Sequence, residues 1–221
     1  MAQKVKPTAL RLGITKTWSS RWLYSRNKKF FLEEDFLIRK FLEKKLVESG
    51  LDRIDIERVG DEIKVIVRTS RPGLIIGKGG KGIEELTALL NKQIKKLRLK
   101  RKQNLNYVLK LNVEELKRNE LSAQIIAQQI AFDLEKRMPY NKVMKKHLEA
   151  IAQNKNIYGA KIKLSGRLNG AEIARSAQLS IGKLPLQTLN IDIDYGEATA
   201  FNTYGTVGVK VWLNKGEIKT D

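Results

Sequence analysis

The chain contains no cysteine and only one histidine, His147, among its 221 residues. Disulfides and thiolate zinc sites are thereby excluded, and imidazole catalysis or histidine-based metal binding has almost nothing to work with. No apolar run approaches the roughly eighteen residues that a membrane span needs, and the basic start lacks the apolar core of a signal peptide. A soluble, cytoplasmic protein is expected. Acidic residues are scarce too: none occurs in the first 32 positions, and 24 Asp and Glu face 43 Lys and Arg overall, a formal net charge of +19. Self-repulsion of that size makes sense when phosphates neutralise it, which points to nucleic acid first and an anionic membrane second. Hydrophobic residues make up 42% of the chain, enough for one large domain or two small ones with cores of their own.

Residues 1–34 read as a basic arm, with Lys4, Lys6, Arg11, Lys16, Arg21, Arg26, Lys28 and Lys29, and with Trp18, Trp22 and Tyr24 as groups that stack on bases or pack on the first domain. From Asp35, taken as an N-cap, Ile38, Leu42 and Leu46 recur at four-residue spacing to Gly50, the pattern of an amphipathic helix. Ile54 and Ile56, then Ile63, Val65 and Val67, alternate with polar residues around a Val59-Gly60-Asp61 turn and predict a hairpin. A second long helix follows through Ile83, Leu86, Leu90, Ile94 and Leu97, and a third strand through Leu105, Tyr107, Leu109 and Leu111. The pattern restarts after Val113 to Asn119. A helix from Leu121 to Leu134 stops before Met138-Pro139, and another spans 142–153. Alternating strands then centre on Ile162, on 178–181, on Ile191 and on Val209. The expectation is an α+β chain with a three-stranded first domain (35–113), helices on one face of its sheet, and a second domain (114–221) of two helices and a four-stranded mixed sheet.

The segment Gly73 to Ile83 holds the chemistry. Gly77-x-Gly79-x-x-Gly82 fits the dinucleotide-binding expression by letter, yet no ribose-binding carboxylate follows about twenty residues on, where Leu97 to Lys102 is almost wholly basic. Gly80-Lys81 is followed by Gly82 and not by Ser or Thr, so the magnesium-binding hydroxyl of a nucleotide hydrolase is missing. A third reading is the KH module, whose Gly-x-x-Gly loop joins two helices and clamps about four nucleotides of a single strand. Here that loop is Gly77, Lys78, Gly79 and Gly80, with Lys81 beside it. Two strands before the loop and one after it give the order of the type II form.

Two more acid-free clusters stand out. Lys92, Lys95, Lys96, Arg98, Lys100, Arg101 and Lys102 crowd the end of a helix, where both the helix dipole and phosphate contact account for them. Lys136, Arg137, Lys142, Lys145 and Lys146 make the second, with Lys142 sharing a helix face with Lys145 or Lys146, and are read as RNA contacts. His147 is assigned no chemistry. Asp192 and Asp194 lie two apart on a strand, a spacing that suits a metal or acid-base pair but in so basic a chain is read as pairing with Lys or Arg.

Met1 to Pro7 with Arg11 to Ile14, Arg71 to Gly80, and above all Ser165-Gly166-Arg167-Leu168-Asn169-Gly170-Ala171-Glu172-Ile173-Ala174-Arg175 resemble the bacterial-type family of small-subunit ribosomal protein S-three. Leu184-Pro185-Leu186, Asp192 to Tyr195 and Tyr204 to Trp212 carry the likeness almost to the C-terminus. The resemblance implies a non-catalytic protein without cofactor or metal, in the head of the small subunit of a cytoplasmic or plastid ribosome. Its implied partners are small-subunit ribosomal RNA, messenger RNA, neighbouring head proteins and proteins at the messenger entrance. It adds Arg167 and Arg175 to the RNA-binding candidates, and it sets Asn141, Lys142 and Lys145 at positions that face incoming messenger, where Asn141 replaces the usual arginine. A free KH regulator of particular messages is the rival binding reading, and it would leave Gly166 to Arg175 without a reason. A lysine forming a Schiff base, as in the damaged-DNA cleavage linked to some eukaryotic relatives, is the rival enzyme reading.

Overall fold

The structure, a computed structural model, describes residues 4–22, 28–102, 106–116 and 121–217. Met1 to Gln3, Tyr24, Arg26, Leu105 and residues 117–120, all used in the sequence reading, lie outside these. The chain packs as two units, Trp18–Lys117 and Met1–Thr17 together with Arg118–Asp221. The stretch read as one arm is therefore shared between them. Its first part holds α1 (Pro7–Leu10) and belongs with the second unit, while β1 (Ser20–Trp22) joins the first.

In the first unit, β1 is followed by α2 (Lys28–Lys45), β2 (Leu51–Val59), β3 (Glu62–Thr69), α3 (Pro72–Ile76), α4 (Lys81–Lys100) and β4 (Val108–Glu115). The sheet order is β1-β2-β3-β4, with β2 and β3 antiparallel and the outer pairs parallel. Val59 pairs with Glu62, so Gly60 and Asp61 make a two-residue turn, and Gly60 takes the positive φ of 59° that such a turn favours. Ile63, Val65 and Val67 alternate inward onto Ile38, Leu42, Leu90 and Ile94 of the helices, each aliphatic side chain contributing about 1.5–3 kcal/mol through burial.

The fourth strand, β1, was invisible as a strand in the sequence. It is held by Arg39, which donates to Ile54 O at 2.7 Å, Ser19 O at 3.1 Å and Ser20 Oγ at 2.6 Å. Asp35 is no N-cap: the chain is already helical from Lys28, and Asp35 is buried in the helix interior. It is tolerated there because Arg58 meets it at 3.0 Å through Nε and 2.5 Å through Nη2. Arg58 also donates to Glu34 at 2.7 Å, and Glu34 accepts from Arg98 at 2.7 Å. Two acids and two arginines, all buried, thus tie α2, β2 and α4 together.

The second unit contains α5 (Ala123–Glu135), α6 (Tyr140–Ala152), β5 (Gly159–Gly166), β6 (Arg175–Gly182), β7 (Ile191–Asn202) and β8 (Gly205–Glu217). Its sheet, in the order β6-β5-β8-β7, has the expected four strands, but every pairing is antiparallel where a mixed sheet was expected. The tight β7–β8 hairpin and the return of β6 alongside β5 leave no parallel crossover. The strand centred on Ile191 in the sequence begins at that residue, and Leu189, which precedes β7, is 39% exposed. Ile126, Ile130, Val143 and Met144 pack on Ile162, Leu164, Val209 and Val211. The Ser122 side chain caps α5 by accepting from the amides of Gln124 and Ile125.

Candidate nucleic-acid interface

The glycine loop is built by the backbone. Gly77 ends α3 at φ 69°, Gly79 sits at 63° and Gly80 at 82°, conformations that side chains disfavour. Gly77 and Gly82 also approach each other closely: a Cβ on Gly82 would lie 2.6 Å from Ile75 O, and one on Gly77 3.1 Å from Gly82 N. That contact lets α4 start directly against the end of α3. A Cβ on Gly79 or Gly80 would meet nothing within 4 Å, so these two form an open backbone surface. Lys78 and Lys81 flank it, both exposed and with no acidic partner among the described residues. The result is a bare, positive strip of backbone that a sugar-phosphate chain can approach closely.

The basic end of α4 divides in a way that neither the helix dipole nor phosphate contact foresaw, because two of its arginines pair with acids of α2. Arg98 is buried against Glu34, with its guanidinium 4.3 Å from the Tyr107 ring, and Arg101 pairs with Glu33 at 2.7 Å. The hydrogen bond from Arg101 holds the Glu33 carboxyl below its usual range. Lys92, Lys95, Lys96 and Lys100 remain exposed.

In the second unit, α6 buries Val143 and Met144 and leaves Asn141, Lys142 and Lys145 on the solvent side. Lys146 is partly engaged, 3.3 Å from Asp133, which also meets His147 Nε2 at 3.0 Å. Burial pushes the Asp133 carboxyl up, but hydrogen bonds from His147 and Lys146 outweigh it and hold the group below its usual value. The lone histidine thus steadies a helix pair. Arg137 is exposed in the α5–α6 turn, and with Arg167 and Tyr204 it lines a cavity of about 380 Å³. Arg167 donates to Ala171 O at 2.8 Å and to Tyr204 O at 3.1 Å, so it shapes its own loop as well as carrying charge. Arg175, exposed, pairs in register with Gly166 at the sheet edge.

The N-terminal candidates separate. Lys4 is exposed, whereas Lys6 bonds Glu197 at 3.3 Å and lies 5.3 Å from the Tyr195 ring centroid. Arg11 must be corrected: it is fully buried and donates to Ile191 O at 2.8 Å, Thr188 O at 2.7 Å, Leu186 O at 3.2 Å and Pro7 O at 3.2 Å. Its guanidinium is spent on carbonyls and has none left for phosphate. Trp22 is likewise turned inward, edge-on to Phe31 at 5.9 Å, while Trp18 is 66% exposed. Asp192 and Asp194 meet Lys16 at 2.6 Å and Lys215 at 3.2 Å, the cationic pairing expected of them. Among the described residues no group of His, Asp and Glu could hold a metal ion, and no helix is long and apolar enough to cross a membrane.

Sequence reasoning did not single out Tyr204 and Phe201, which line the same cavity as Arg137 and Arg167. Phe201 lies near the end of β7 and Tyr204 in the β7–β8 turn, and both are exposed; alternation along β7 could have revealed the first, whereas the second lies outside either strand.

Residues 37–121 match the family model described as KH domain, and residues 130–213 match ribosomal protein S3, C-terminal domain. The chain is similar to small ribosomal subunit protein uS3 of Clostridium novyi (strain NT), 46% identical over 220 residues, covering 99% of this chain and 94% of that one. The uS3 protein of Maridesulfovibrio salexigens is 44% identical over 218 residues, with 99% and 97% covered, and that of Syntrophomonas wolfei 42% over 218, with 99% and 91% covered.

Proposed function

The chain belongs to the ribosomal protein S3 family, a structural and non-enzymatic family, and from that premise we propose that it is a constituent of the small ribosomal subunit head. There it binds the subunit's ribosomal RNA, sits beside neighbouring head proteins and those of the messenger entrance, and helps form the channel through which messenger RNA enters. Its compartment is the cytoplasm or the plastid stroma, wherever that ribosome works. The observation that carries the RNA contact is the open strip at Gly79 and Gly80 between two exposed lysines that have no acidic partner among the described residues. Glycine surface and mobile ammonium groups grip phosphate without selecting a base, as structured ribosomal RNA requires. Lys4, Arg175 and the exposed lysines of α4 add charge to the same task. Lys142 and Lys145, held outward by the buried Val143 and Met144, are the groups offered to the messenger. Asn141 beside them supplies hydrogen bonds and no charge.

The test is a double variant, Lys78→Asp with Gly79→Asp, assayed for binding to small-subunit ribosomal RNA. Affinity is expected to fall about tenfold or more, with a shallower salt dependence and unchanged circular dichroism. Unchanged affinity would remove the loop as the RNA contact. Native protein that stayed off small subunits in a low-magnesium gradient would end the ribosomal assignment.

A further inference from the structure

We propose that the second unit holds one unstacked nucleobase of an RNA strand in the cavity between the α5–α6 turn and the β7–β8 hairpin. Tyr204 is its stacking partner, and Arg137 and Arg167 take the flanking phosphates. The inference rests on the RNA-binding reading above and gives it a second, base-gripping contact.

The cavity has the build for this ligand. Its volume of about 380 Å³ falls within the usual range for small-ligand sites. Leu134, Leu168 and Val207 form a buried apolar floor, while Phe201 and Tyr204 stand at the mouth, 72% and 62% exposed. Exposed aromatic rings over an apolar floor are what a base needs for stacking. Tyr204 is also backed: a Cβ on Gly170 would come within 3.3 Å of its ring, so the glycine lets backbone lie against one side and fix the ring's tilt. Polar groups line the wall. Asn169 and Asn202 offer amides, and Glu135 is oriented by accepting from the Phe201 amide at 2.9 Å.

The two arginines are placed for phosphate at the rim. Arg167 is fixed by its bonds to Ala171 O and Tyr204 O, with its guanidinium 5.8 Å from the Tyr204 ring centroid. Arg137 is more telling. It occupies the left-handed position that closes α5, φ 61°, with its amide bonded to Leu134 O and that of Met138 to Asp133 O. This is the helix ending in which glycine is favoured. An arginine there carries backbone strain and, among the described residues, has no acidic partner to compensate it. Its side chain lines the cavity instead. An acidic peptide would require cations at depth, whereas here the depth is aliphatic and the cations stand at the edge. Tyr140, the first residue of α6, lines the same cavity.

The experiment titrates the full chain with a short single-stranded RNA containing 2-aminopurine, whose fluorescence falls on stacking. Tyr204→Ala is expected to weaken binding about tenfold and to abolish the quenching. Arg137→Gly should weaken binding several-fold and flatten the salt dependence while its Tm stays equal or rises, because glycine relaxes the left-handed position. That rise separates lost binding from lost folding. If both variants bind and quench like the parent, the base pocket is refuted and the RNA-binding reading stands. If the parent binds no RNA, both fall. A photoreactive residue at position 204, irradiated in native small subunits, should yield an RNA adduct; an adduct to protein only would overturn the proposal.

Discussion

The two units keep their charges in opposite places. In the first, an acid-arginine cluster lies at the centre: Glu34 and Asp35 on α2, Arg58 on β2 and Arg98 on α4 are all buried and mutually paired. The residues it displays, Lys78 and Lys81, are exposed and have no acidic partner among the described residues. In the second unit the core cluster is aliphatic, and arginines serve beside it, where fully buried Arg11 and half-buried Arg167 clamp backbone carbonyls. The difference reflects the two cations themselves. The rigid guanidinium fork fixes geometry where it is buried and takes phosphate where it is exposed, whereas the flexible ammonium group of lysine, where it is exposed, can follow a phosphate backbone. High net charge therefore says little about which cations meet RNA: Arg11 and Arg98 count toward +19, yet both are buried in the fold.

The comparison breaks most readily at Glu34. Glu34→Ala leaves buried Arg58 with Asp35 as its remaining carboxylate and takes from buried Arg98 both of its bonds to Glu34, at a cost of about 3–5 kcal/mol. Hydrogen exchange read separately over 28–115 and 121–217 should show the loss confined to the former. Loss shared equally by both would mean that the units are not energetically separate. Arg11→Met should do the converse, with a smaller effect of about 1–3 kcal/mol confined to the second unit, because carbonyls at Leu186, Thr188 and Ile191 lose a buried donor. If that variant instead left stability intact and weakened RNA binding, the burial of Arg11 would not be its role.

Much of this was readable in advance, and the exceptions share a cause. Periodicity located the helices around Ile38, Leu90, Ile130 and Val143 and the strands around Val65, Ile162 and Val209, because one buried face imposes its repeat on the sequence. The glycine loop was legible because spacing alone discarded its rivals. What stayed hidden depended on partners distant in sequence. β1 needs Arg39 to reach back to Ser19 and Ser20, and Asp35 looks like a cap until Arg58, on another element, is seen to meet it. Arg11 resembled its neighbours in a basic arm, since nothing local foretells carbonyls some 175–180 positions away. The Tyr204 cavity likewise assembles only when the α5–α6 turn and the β7–β8 hairpin meet.

The smallest effect falls on pH. Asp194 is a partly buried carboxylate of the second unit with a helix to hold: it accepts from the Ala123 amide at 3.0 Å, at the start of α5, and pairs with Lys215 at 3.2 Å. Burial alone would raise its pKa, but Lys215 and the Ala123 amide outweigh burial and hold it below the usual value. A carboxyl depressed in the folded state adds stability above its unfolded value, and that stability is lost as pH falls through the folded one. Asp194→Asn keeps an acceptor for Ala123 and removes the charge, so it should cost about 1 kcal/mol at neutral pH. The cost should shrink below about pH 4, where the parent's own carboxylate is being protonated. Thermal melts of parent and variant should therefore converge as the solution is acidified, with exchange over 121–217 carrying the difference. Curves that stay parallel to the lowest pH would show that the charge of Asp194 contributes nothing to the second unit's stability.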